Sequence, residues 1–94
     1  MLVSLDYDGT YTLDPEFWDD FIATIRTRGH KVYCVTMRYP GVEGNPVRDA
    51  LVGRVDEIIF TGRRAKLEYL SYLNINPDIW IDDQPHFIYM DAIK

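Results

Sequence analysis

Four short apolar runs punctuate the chain at fairly even spacing: LVSL at 2–5, KVYCV at 31–35, EIIF at 57–60 and DIWI at 78–81. Each is rich in β-branched or aromatic residues, and none alternates cleanly with polar ones. That is the pattern of strands in a parallel sheet covered on both faces. The segments between them carry helical signals. Asp14-Pro15 offers an N-cap followed by proline at the first helical position, and Gly29 a terminator. Inside that span Phe17, Phe21, Ile22 and Ile25 form one apolar stripe. Asn45-Pro46 repeats the cap-plus-proline signal and opens a second helix to about Gly53, with Val47, Ala50 and Leu51 facing inward. A third helix is expected from Arg63 to Leu73, with Leu67, Leu70 and Leu73 as its buried face. Asp83-Gln84-Pro85 starts a short final helix carrying Ile88 and Ala92, although FIYM at 87–90 also reads as a strand.

The order β-α-β-α-β-α-β-(α) predicts a single α/β domain over residues 1–94. It should be a three-layer sandwich with a mostly parallel, Rossmann-like sheet of about four strands joined by right-handed crossovers. Ligands of such sheets bind beyond the carboxyl ends of the strands. The residues directly after the four runs are Asp6, Thr36, Thr61 and Asp82. All four therefore fall on the edge where chemistry is expected.

Composition narrows the picture. A chain of 94 residues, 47% hydrophobic, holds one core and no second domain. Its apolar runs are far too short to cross a bilayer, and MLVSLDYD lacks the basic and apolar regions of a secretion signal. A lone cysteine, Cys34, rules out an internal disulfide framework and a thiolate metal cluster. A cytoplasmic protein is the simple expectation. The net charge of −5 gives no general attraction to nucleic acid, while leaving room for a nucleic-acid end entering a local basic cleft.

The stretch SLDYDGT at residues 4–10 sets two carboxylates at the end of the first strand. A carboxylate that attacks phosphorus approaches a group that repels it, so a divalent cation is needed to neutralise the site. Mg²⁺ takes oxygen ligands in an octahedron and keeps several waters. Asp6 and the pair Asp82-Asp83 offer such oxygens from neighbouring strand ends, and the main-chain carbonyl of Asp8 can add another. Asp8, two residues beyond the nucleophile, points into the same cleft and can carry a proton. Gly9 permits a sharp turn, and the Thr10 hydroxyl is placed to hold the Asp8 side chain and to contact the substrate. Thr36 is placed to hydrogen-bond a phosphoryl oxygen, Arg38 to contact the substrate, and Lys66 to offset the charge of Asp6 and the phosphoryl group. Other residues read as structural. Cys34 belongs to the core, Asp78 to the fold, His30 and His86 to the surface or to caps, and Arg63-Arg64 to a solvated helix start.

Asp6-x-Asp8-Gly9-Thr10, then Thr36, Lys66 and Asp82-Asp83, together resemble the four motifs of the haloacid dehalogenase superfamily of phosphohydrolases, in order and across essentially the whole chain. The resemblance implies a Mg²⁺-dependent phosphatase acting through an aspartyl-phosphate. Asp6 would be nucleophile and metal ligand, and Asp8 general acid and then general base. Retention of an acid at Asp8 favours a phosphatase or phosphotransferase over carbon–halogen or carbon–phosphorus cleavage. Residues 9–14 and 61–65 leave no room for the cap domain many members carry, so a capless, minimal member is expected. An open cleft suits a large or exposed phosphorylated substrate, such as a nucleic-acid end, a nucleotide or a phosphoprotein, or a second subunit that closes it. A missing fifth strand would leave a sheet edge open to a homo-oligomer. A response-regulator receiver fails on placement, because its phosphorylated aspartate belongs on the third strand. The alternative that stands is a catalytically weak or silent binding module on the same fold.

Overall fold

The computed structural model describes residues 1–92. In it β1 (Leu2–Leu5), α1 (Pro15–Thr27), β2 (Lys31–Thr36), α2 (Asn45–Leu51), β3 (Glu57–Phe60), α3 (Lys66–Tyr72) and β4 (Ile79–Ile81) alternate along the chain. Single 3-10 turns stand at Tyr11–Leu13, Val42–Gly44 and Pro85–Ile88. The four strands form one parallel sheet in the order β3-β2-β1-β4. The chain steps outward from β1 to β2 to β3, then crosses back to place β4 on the other side of β1. Right-handed crossovers therefore put α1 and α2 on one face and α3 on the other, with the reversal of direction between β1 and β4.

Burial follows those two faces. Register sets Val3 beside Val32 and Leu5 beside Cys34, and these four pack with Ile22 of α1 and with Val47 and Leu51 of α2 in one core cluster. Val35, Ala65, Leu70 and Ile88 are buried outside that cluster, beneath α3 and the last 3-10 turn. No helix among the described residues is long and apolar enough to cross a membrane.

Local signals acted where their chemistry was available. Asp14 caps α1 by accepting the Phe17 N–H at 3.2 Å, with Pro15 in the first turn. Asp78 accepts the Leu2 N–H at 2.7 Å and so ties β1 to the approach of β4. Asn45 differs from expectation. It sits inside the first turn of α2, and its side chain accepts from Arg48 at 3.1 Å instead of capping. In α1 the packed stripe is Trp18, Phe21, Ile22 and Ile25, spaced three and four residues apart, while Phe17 is 55% exposed in the first turn. Residues 85–88 form neither an α-helix nor a strand but a 3-10 turn that buries Ile88.

The largest correction concerns α3. It begins at Lys66 rather than Arg63, because Arg63 takes a left-handed backbone at φ 72°. Its inward face is Lys66 and Leu70, four residues apart, while Leu67 and Leu73 are 38% and 50% exposed. Leu70→Ala should cost about 2–5 kcal/mol of unfolding free energy, and Leu67→Ala under about 1 kcal/mol. Urea denaturation of the two variants measures the difference. Equal losses would restore the leucine-only face expected from the sequence.

Candidate active site at the β1–β4 switch point

Beyond Leu5, the Asp6 N–H donates to the Ile81 carbonyl at 3.0 Å, which extends the β1–β4 ladder and sets Asp6 beside Asp82. The chain then turns back at Gly9, whose φ is 78°. Two constraints meet there. The left-handed backbone favours glycine, and a Cβ at this position would collide with the Asp83 carboxylate. Thr10, brought back by the turn, is buried. Its hydroxyl lies 3.1 Å from Asp6 Oδ2 and 3.4 Å from Asp83 Oδ1, sharing one proton between them, and it accepts the Asp83 N–H at 3.2 Å. Thr10 therefore holds Asp6 and Asp83, not Asp8, and it does not line the cleft.

Lys66 enters from α3. Its Nζ donates to Asp6 Oδ1 at 2.8 Å and to Asp82 Oδ2 at 2.6 Å, and the side chain is 3% exposed. The second Asp82 oxygen accepts the Gln84 N–H at 3.0 Å. Burial works against the lysine charge, but the pull of Asp6 and Asp82 outweighs it and holds the ammonium above the usual lysine value. Asp6 goes the other way. Burial pushes its carboxyl from 3.8 up to about 7, against the pull of Lys66 and with the help of its acidic neighbours Asp83 and Asp82.

The other half of the cleft is a set of ion pairs. Arg38 grips Asp8 with two bonds, Nε to Oδ2 and a terminal nitrogen to Oδ1, both 2.9 Å. Its remaining nitrogen donates to the Glu43 carbonyl at 2.7 Å, and its guanidinium lies 5.2 Å over the Tyr7 ring. The Thr36 hydroxyl, at the end of β2, accepts the Arg38 N–H at 3.3 Å, and its own proton can turn into the cleft. Arg63 is not a solvated helix residue. It donates to the Met37 carbonyl at 2.7 Å and to both Glu43 oxygens at 3.2 and 3.0 Å. Arg64 is exposed as expected. Thr61 turns away, with its hydroxyl on the Arg64 carbonyl at 2.8 Å. Cys34 is fully buried, with burial pushing its thiol up to about 12. The seven residues Asp6, Asp8, Thr36, Arg38, Lys66, Asp82 and Asp83 thus line one cleft of about 440 Å³. Glu43, Arg63, Met37 and Phe87 line it too without having been singled out for it. Met37, directly after β2, and Arg63, in the loop after β3, carried a usable sign in their places at strand ends.

One oxygen from each of Asp6, Asp82 and Asp83 lies within 4.8 Å of the others. Five carboxylates line the cleft against three cations, so the site carries surplus negative charge. An all-oxygen donor set with unneutralised charge fits a hard divalent cation such as Mg²⁺. The Asp8 side chain stands outside that group, engaged by Arg38. Comparison of the chain with protein-family models, with curated proteins and with solved structures finds no match in any of the three.

The Asp6 carboxyl gives the site a pH signature in chelator-treated protein. Its folded value of about 7 lies above the ordinary 3.8, so folding favours the protonated form. That contribution is complete below about pH 4 and lost as pH rises through about 7. The thermal midpoint of the wild type should fall by several degrees from pH 5 to pH 8, the slope should level in Asp6→Asn, and added Mg²⁺ should recover the loss at pH 8. Identical pH profiles for the two proteins would contradict this account of Asp6.

Proposed function

We propose that this protein is a Mg²⁺-dependent phosphatase of the haloacid dehalogenase type, capless, hydrolysing phosphomonoesters through an aspartyl-phosphate on Asp6. The observation that carries the reading is the Lys66 ammonium bridging Asp6 and Asp82 at the switch point, with Asp83 completing a three-carboxylate group. A bound Mg²⁺ would be held by Asp6, Asp82, Asp83 and the Asp8 carbonyl, and would supply charge neutralisation for an incoming phosphoryl group.

The chain's own residues do the rest. Lys66 and Thr10 fix the Asp6 carboxylate from opposite sides, so that little reorganisation is needed before it attacks phosphorus. The Thr36 hydroxyl and the Arg38 guanidinium donate to phosphoryl oxygens. As Arg38 turns to the phosphoryl group it releases Asp8, which can then hold a proton for the leaving oxygen. In the second step Asp8 takes a proton from the water that attacks the aspartyl-phosphate, and Asp6 is the leaving group.

The connections 6–14 and 61–65 hold no inserted domain, so substrate reaches the acids from open solvent. That supports a substrate whose phosphate is exposed, such as a nucleotide, a nucleic-acid end or a phosphoprotein. The outer edges of β3 and β4 have no partner strand among the described residues and offer backbone donors and acceptors to a second copy. A single buried thiol suits a cytoplasmic setting.

Wild-type protein with Mg²⁺ should hydrolyse an aryl phosphate, and chelator should abolish the activity. Asp6→Asn should lose essentially all of it, and Asp8→Asn about 10²- to 10⁴-fold in kcat. Steady-state assays across nucleotides, phosphopeptides and 3′- or 5′-phosphorylated oligonucleotides provide the test. A wild type no better than Asp6→Asn on every one of them would leave a binding module in place of an enzyme.

A further inference from the structure

A phosphoryl group fills only a small part of a cleft of about 440 Å³, a volume in the range that holds an organic ligand. The rest of the space has a distinct chemistry. Beside the charged groups, its lining includes Met37, Phe87 and Ala92, with Gln84. Met37 comes from the loop after β2, and the other three from the segment after β4.

That segment is fastened beside the reacting groups. The Ala92 N–H donates to the Arg63 carbonyl at 2.9 Å, and the Arg63 N–H donates to the Met37 carbonyl at 2.8 Å. One residue, in a left-handed conformation that non-glycine residues rarely adopt, thus joins the two apolar walls through its main chain. The Asp91 carboxylate accepts the Ala65 N–H at 2.6 Å, one residue before Lys66. Between these ties and Gln84, Ile88 is 4% exposed and anchors the segment against the α3 side of the sheet. Phe87 is half-buried, and its ring lies 4.2 Å from that of His86. It stands within the 3-10 turn that runs from Pro85 to Ile88.

We propose that the segment 84–92 serves as the leaving-group wall of this cleft, with Phe87 selecting phosphomonoesters whose leaving group presents a planar apolar face. The inference rests on the phosphatase reading for the position of the phosphoryl group. A planar ring lying between Phe87 and the Met37 thioether gains aromatic and sulfur–aromatic contact that an alkyl chain does not make. Arg63 is a positioning residue, holding Met37 and Ala92 at their separation. The wall does the selecting that an inserted domain would otherwise do, and it is built from a stretch of nine residues that directly follows Asp83.

Binding of phenylphosphonate and methylphosphonate, two non-hydrolysable probes, is measured by calorimetry with Mg²⁺ present. Hydrolysis of phenyl phosphate and glycerol phosphate is measured beside it. Wild type should bind the phenyl probe about tenfold more tightly than the methyl probe, and Phe87→Ala should bring the two within about twofold. Ala92→Leu, which narrows the wall without removing its N–H, should weaken the phenyl probe and leave the methyl probe unchanged. It provides the same test if Phe87→Ala does not fold. Phenyl selectivity that survives in both variants overturns the wall while leaving the phosphatase reading intact. Phenyl selectivity in a protein that hydrolyses neither ester, nor any phosphate of the wider panel above, overturns the leaving-group role together with the enzymatic reading. A wild type that binds neither probe overturns both.

Discussion

The Lys66 ammonium, shared between Asp6 and Asp82, is the interaction on which the rest of the structure turns. It is nearly inaccessible to water, and it joins the ends of β1 and β4 to the first residue of α3. A buried triad of this kind costs desolvation of three charges, and well-packed apolar groups would stabilise a fold of this size as well or better. Its value lies in what it positions. With Lys66 drawn inward, α3 can rotate only so that Leu70 follows it into the core and Leu67 and Leu73 turn out. The helix register, the buried face and the orientation of the Asp6 carboxylate are consequences of one hydrogen-bonded charge group.

The cleft extends that arrangement into a chain of paired charges. Lys66 serves Asp6 and Asp82, Arg38 serves Asp8, and Arg63 serves Glu43. The first pair is buried and rigid. The outer two are partly solvated, so either can be opened at modest cost. Glu43 accepts the Tyr39 N–H and pairs with Arg63, which closes the loop after β2 on itself and holds its carboxyl below the usual range. The structure is therefore stiff around the atom proposed to react and adjustable where a substrate would enter.

Much of this was legible before any coordinates. Four continuous apolar runs require a sheet buried on both faces, and alternation with helical segments requires parallel strands, so the residues after the runs had to share an edge. That placed Asp6 and Asp82-Asp83 on the same edge, while the strand order that makes them neighbours came from the tertiary structure. The contacts of Thr10, Arg63 and Glu43 were not legible. Thr10 reaches Asp83 across 73 positions, and Arg63 reaches Glu43 across 20. Local pattern carries no trace of which partner a turn residue will meet.

The sequence by itself determined the order of elements, the strand-end placement of the acids, and the sharp turn that glycine allows at position 9, because these depend on periodicity and on backbone sterics within a few residues. Only the tertiary structure decided which face of α3 is buried, that Arg38 holds Asp8, and that the segment after β4 returns to line the cleft. Those outcomes depend on competition among side chains far apart in the chain. At Lys66 two carboxylates, converging from separate strands, outcompeted the pull of leucine toward the core.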